Sequence, residues 1–171
     1  MGSYQTILMC YDGSREGRKA LRQGADLARV LGAQTHLLAV LDTRTQIAHS
    51  AGLLTDLACS QFEASAQEVL AEGVASLKAR GLQATGHFAH GLPVDEIAAL
   101  AKDLNADLVI VGHRCRRGLS RWWGGNGNAN LLDRLSCSLL VACSSVEEQK
   151  TAEILNEDTA ALSVEPVSAL S

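Results

Sequence analysis

Two short stretches hold the residue types most able to do chemistry. The first is Cys10-Tyr11-Asp12-Gly13-Ser14, where a carboxylate and a hydroxyl follow directly on an apolar run. The second begins Gly112-His113-Arg114-Cys115-Arg116-Arg117 and continues through Trp122-Trp123 to Gly124-Gly125-Asn126-Gly127-Asn128. Arg114, Arg116, Arg117 and Arg121 fall in it, and no Asp or Glu stands from Gly112 through Asn130. Glycines let a backbone turn tightly and present its N–H groups, and a helix entered directly afterwards favours an anion through its dipole and unpaired donors. In a chain of formal net charge -4 this stretch is a local positive site. On charge alone a solvated surface loop is the plainer reading; the glycine-rich helix entry after a buried strand is what points to phosphate. Neither a Gly-Lys-Ser/Thr loop nor a Gly-x-Gly-x-x-Gly turn after the first strand is present, so two common phosphate-binding motifs are excluded.

Other reactive side chains have plainer readings. Cys115 between Arg114 and Arg116 sits where cations favour a thiolate, which admits redox chemistry; an inert loop thiol is the simpler account. His113 could touch phosphate or act as a base, although such a residue is more often merely exposed. His87 and His90 read as facing one side of an edge strand without a third ligand, and His36 and His49 read as unpartnered, so no metal site is expected. The five cysteines are odd in number and form no Cys-x-x-Cys pair, which suits free thiols in a reducing cytoplasm. No secretory leader or membrane-length apolar run is visible, and the acidic balance argues against nucleic-acid or membrane partners.

The elements that must position these residues follow from hydrophobic patterning. Short continuous apolar runs at Thr6–Tyr11, Thr35–Leu41, Asp107–Val111 and Ser138–Cys143 read as strands, those at Thr6–Tyr11 and Asp107–Val111 as buried on both faces. Gln83–His90 is a weaker strand with the alternation of a sheet edge. Helical patterns lie between them: one capped by Ser14 and stopped by Gly32, one from Leu54 to Arg80, one opening at Pro93, and a short one from Asn130 to Leu135. The order βαβαβαβαβ predicts an α/β domain with an open five-stranded parallel sheet and helices on both faces. Residues 1–146 form that domain; 147–171 are polar, acidic and read as a mobile tail.

These residues carry a resemblance. Ile7-Leu8 through Asp12-Gly13-Ser14, Leu38-Ala39-Val40, Gly91-Leu92-Pro93, Asp107-Leu108-Val109-Ile110-Val111-Gly112 and the long segment before the last strand resemble the universal stress protein family over Tyr4 to Ser144. The resemblance implies a Rossmann-like sheet of the adenine nucleotide alpha hydrolase type, in strand order 3-2-1-4-5. It also implies a cytoplasmic homodimer pairing through the last strand, Ser138 to Cys143, and a regulatory client. Its nucleotide-binding branch carries Gly-x-x-Gly, nine residues, then Gly and Ser or Thr. On this chain those positions fall on Gly112, Cys115, Gly125 and Asn126, so two of the four depart from the pattern. By the same resemblance ATP or AMP, with magnesium only through the nucleotide, would meet Cys10, Tyr11, Asp12, Val40, Gly112, His113, Arg114, Cys115, Gly125, Asn126, Gly127 and Asn128. Asp12 would take the adenine or ribose side and Val40 the adenine pocket. The alternatives are a protein of the same fold that binds no nucleotide, which Cys115 and Asn126 favour, and a weak ATPase. At most slow hydrolysis is expected, since no base paired with a metal-holding carboxylate is identifiable.

Overall fold

The computed structural model describes residues 4–42, 56–114 and 131–144. In chain order they form β1 (Thr6–Cys10), α1 (Arg15–Leu31), β2 (Gln34–Asp42), α2 (Asp56–Ala79), β3 (Ala84–Gly91), α3 (Pro93–Asp103), β4 (Leu108–Arg114), α4 (Leu131–Arg134) and β5 (Ser138–Ser144). The five strands make one parallel sheet in the order β3-β2-β1-β4-β5, as expected.

Strand alternation sorts the apolar residues onto two faces. Ile7, Met9, Tyr11, Leu37, Leu108 and Ile110 pack with Ala20, Leu21, Ala25 and Ala28 of α1 and Leu77 of α2. Leu8, Leu38, Val109 and Val111 face the other way, onto Ile97 and Ala101 of α3 and Leu131 of α4. Helices therefore cover both faces. Burying each of the larger aliphatic side chains contributes roughly 1.5–3 kcal/mol, and each alanine methyl about 0.8 kcal/mol.

Local chemistry sets the helix ends. Ser14 caps α1 by accepting a 2.9 Å bond from the Gly17 amide, and Gly32 closes it in the left-handed region at φ 64°. Pro93 opens α3, where a missing N–H costs nothing.

One expectation needs correcting. Gly112, His113 and Arg114 read as the start of a loop, yet they continue β4. The reason is pairing: β5 runs to Ser144, so Gly112, His113 and Arg114 lie in register with Ala142, Cys143 and Ser144. The proposed tail, 147–171, lies outside the described residues. Among the described residues no helix is long and apolar enough to cross a membrane.

Candidate functional site

The central strand is the shortest. β1 ends at Cys10, level with Leu38, while β2 continues four residues further to Asp42. On its other side Met9 is level with Ile110, and β4 continues to Arg114. The carboxyl edge of the sheet thus carries a notch over β1. At about 3.3 Å per residue it is about 10–13 Å deep, and two strand spacings make it about 10 Å wide. It coincides with the place where connections diverge: β1 leads to α1 on one face, and β4 leads toward α4 on the other. Open parallel sheets bind ligands at such switch points.

The floor of the notch is a tight turn. Gly13 adopts φ +72°, and the Asp12 carboxylate accepts a 3.0 Å bond from the Ser14 amide through Oδ1. Asp12 is exposed, and among the described residues its Oδ2 accepts no bond. α1 sits hard against this turn. A Cβ on Gly17 would stand 2.5 Å from Asp12 Oδ1, and one on Gly112 would stand 2.5 Å from the carbonyl carbon and oxygen of Glu16. At Gly112 the obstacle is the α1 backbone, so only glycine lets the first turn of α1 close one face of the notch; at Gly17 a side chain would displace the Asp12 carboxylate. The opening is left toward the α3 side.

That side is lined by alternation. Cys10 and Val40, both half-buried, pack on the α3-side core. His113 shares the parity of Val111 and is 7% exposed, so a polar ring stands in an otherwise apolar wall. Burial, reinforced by the charge of Asp12, pushes the Cys10 thiol up to about 12. It stays neutral and serves as wall rather than nucleophile.

The structure therefore brings together Cys10, Asp12, Val40, Gly112 and His113. It does not bring the Tyr11 side chain to them. Parity sends Tyr11 into the α1 and α2 core, where it is 3% exposed and its hydroxyl donates to Glu72 at 3.1 Å. Glu72 also meets Arg18 Nε at 3.4 Å, so the tyrosine anchors the end of β1 beneath the turn. Arg114 is placed by its backbone in β4. Cys115, Gly125, Asn126, Gly127 and Asn128 lie outside the described residues. Sequence reading named Ser14 as the α1 cap but missed Gly17 and Tyr11 as supports of the turn.

Two histidine readings are also corrected. His36 has a partner, since its Nδ1 lies 3.0 Å from His87 Nε2. His87 and His90 face opposite sides, as an odd spacing on a strand requires: His90 stacks edge-on to Phe88 and lies 3.6 Å from Glu63 of α2.

Comparison with known proteins bears on this arrangement. The model of the Universal stress protein family matches residues 3–142. A universal stress protein of Methanocaldococcus jannaschii is 23% identical over 138 residues, 81% of each chain. Among solved structures, a universal stress protein in complex with cAMP superimposes with a TM-score of 0.59 at 23% identity, over 84% of this chain and 100% of that one. The universal stress protein from Archaeoglobus fulgidus in complex with dAMP gives 0.56 at 19% identity, over 82% and 98%.

Proposed function

The chain belongs to the universal stress protein family, and from that premise we propose that it is a regulatory protein that binds an adenine nucleotide, ATP or AMP, in the notch above β1. The observation that carries the reading is the recessed end of β1 between longer neighbours, with an exposed carboxylate on its floor and an apolar wall on its open side. A purine ring suits such a wall, and Asp12 can accept from an exocyclic amine or a ribose hydroxyl. The bound cAMP and dAMP of two neighbours of this fold support the choice of ligand class. In this proposal the main-chain amides of Gly125 to Asn128 and the arginines after Gly112 hold the phosphates. Magnesium arrives only with the nucleotide, and turnover is at most slow hydrolysis. Occupancy changes the surface offered to a client protein in the cytoplasm.

Calorimetric titration of the full chain with ATP and with AMP tests this. A one-to-one isotherm with a dissociation constant below about 1 mM is expected, equivalent to about 4 kcal/mol. Silence with both nucleotides removes the reading. It would leave the second one, a protein of the same fold that works by interaction alone, which the departures at Cys115 and Asn126 favour.

A further inference from the structure

The His36 and His87 rings lie on the α3 face of the sheet, toward the opposite end of β2 from Asp42. Their centroids are 5.3 Å apart, and the 3.0 Å contact between Nδ1 and Nε2 makes one ring the donor and the other the acceptor. The bond crosses from β2 to β3, and among the described residues β3 is an edge strand, laddered to β2 alone. Among the described residues no third His, Cys, Asp or Glu joins the two to make a metal cluster. We propose that the His36–His87 pair is a proton-operated latch that fastens β3 to β2 at neutral pH and releases it in mild acid.

The chemistry is that of donor and acceptor. A neutral pair needs one lone pair facing one N–H, and this geometry supplies both. When both rings are protonated, two N–H donors and two positive charges face each other, and the bond becomes a repulsion. The surroundings do not offset that charge. From β1 and β2 this face presents Leu8, Cys10, Leu38 and Val40, with Asp42 at the far end of β2, and from β3 it presents Thr85 and Ala89. On α3, Asp95 is held by Arg134 at 2.6 Å and Glu96 lies against Gly91, both at the Asp42 end, while Lys102 and Asp103, at the end level with the rings, are exposed and of opposite charge. The carboxylate of Glu63 pairs with His90 on the other face. Burial lowers the proton affinity of both rings, and the charge of His87 lowers that of His36 further. With folded values below the ordinary one, the unfolded chain binds more protons in acid. The latch is therefore at full strength above about pH 6.5; a first proton leaves one N–H facing one lone pair, and the bond is lost as pH falls further and the second ring is protonated.

Amide exchange of the full chain, corrected for the intrinsic chemical rate, tests the latch between about pH 7.5 and about pH 5.5. Protection of the Ala84–Gly91 amides should fall about tenfold more than that of β1 and β4, and this excess should vanish in His36→Phe and His87→Phe. His90 and His113 are present in every protein compared and cancel. Should either variant fail to fold, ring signals of the native protein decide: the two rings should titrate as a coupled pair below the ordinary histidine range. Independent titration near the ordinary value, or protection of β3 that tracks that of β1, overturns the latch. Neither measurement uses nucleotide, so a failure here is distinct from a failure of the nucleotide reading.

Discussion

Under the nucleotide reading Asp12 has two tasks on one carboxylate. Oδ1 fixes the turn by accepting from the Ser14 amide, while Oδ2, which faces no described partner, is the atom proposed to meet the ligand. The two tasks can be separated. Asp12→Asn keeps an oxygen for the Ser14 amide but loses the charge, whereas Asp12→Ala loses both. Under the nucleotide reading, Asp12→Ala should weaken adenine nucleotide binding about tenfold, or about 1.4 kcal/mol, by calorimetry. Its stability should change by about 1 kcal/mol or less, because the lost bond is exposed. Unchanged affinity would take Asp12 out of the site. Cys10, two residues earlier, contributes shape alone: a thiol pushed up to about 12 has no thiolate at neutral pH.

At the scale of elements, the opposite edge of the sheet is tied by another carboxylate. Asp107, just before β4, accepts from the amides of Gln5 at 2.7 Å and Thr6 at 2.9 Å, at the start of β1. These two bonds hold its pKa below the usual range. A depressed carboxylate adds stability that is complete above about pH 3.9 and is lost as pH falls through the folded value. Urea midpoints should therefore fall more steeply below about pH 4 in the native protein than in Asp107→Asn, and equal slopes would show that these bonds do not matter. This tie was not legible beforehand, because Asp107 is 101 and 102 residues from its partners and nothing local marks it. Much else was. The doubly buried runs at Ile7–Met9 and Leu108–Val111, the Ser14 cap and the Gly32 stop are local signals, and they gave the elements and their alternation; the strand order came from the family resemblance. Most misreadings share one cause: the length of β4 past Val111 is set by β5, the burial of Tyr11 by α1 and α2, and the partner of His36 by β3, each a neighbour distant in sequence. The faces of His87 and His90 are the exception, since their odd spacing was legible locally.

For the whole molecule, the two edges of the sheet are unequal. β3 is short of large apolar residues, while β5 carries Leu139, Leu140 and Val141 and packs on both cores. An apolar edge strand invites pairing. We therefore expect two copies to associate through Ser138 to Cys143, with sedimentation giving twice the 18.1 kDa chain mass; a single-chain mass at micromolar concentration would exclude it. The contact between Gly112 and the first turn of α1 has a mechanical consequence at this scale. Where two side chains meet, a small displacement is taken up by rotating one of them. Here main chain rests on main chain, at the junction of β4 and α1, and no rotamer is interposed. A displacement of β4 at Gly112 is therefore met directly by the α1 backbone at Glu16 and Gly17.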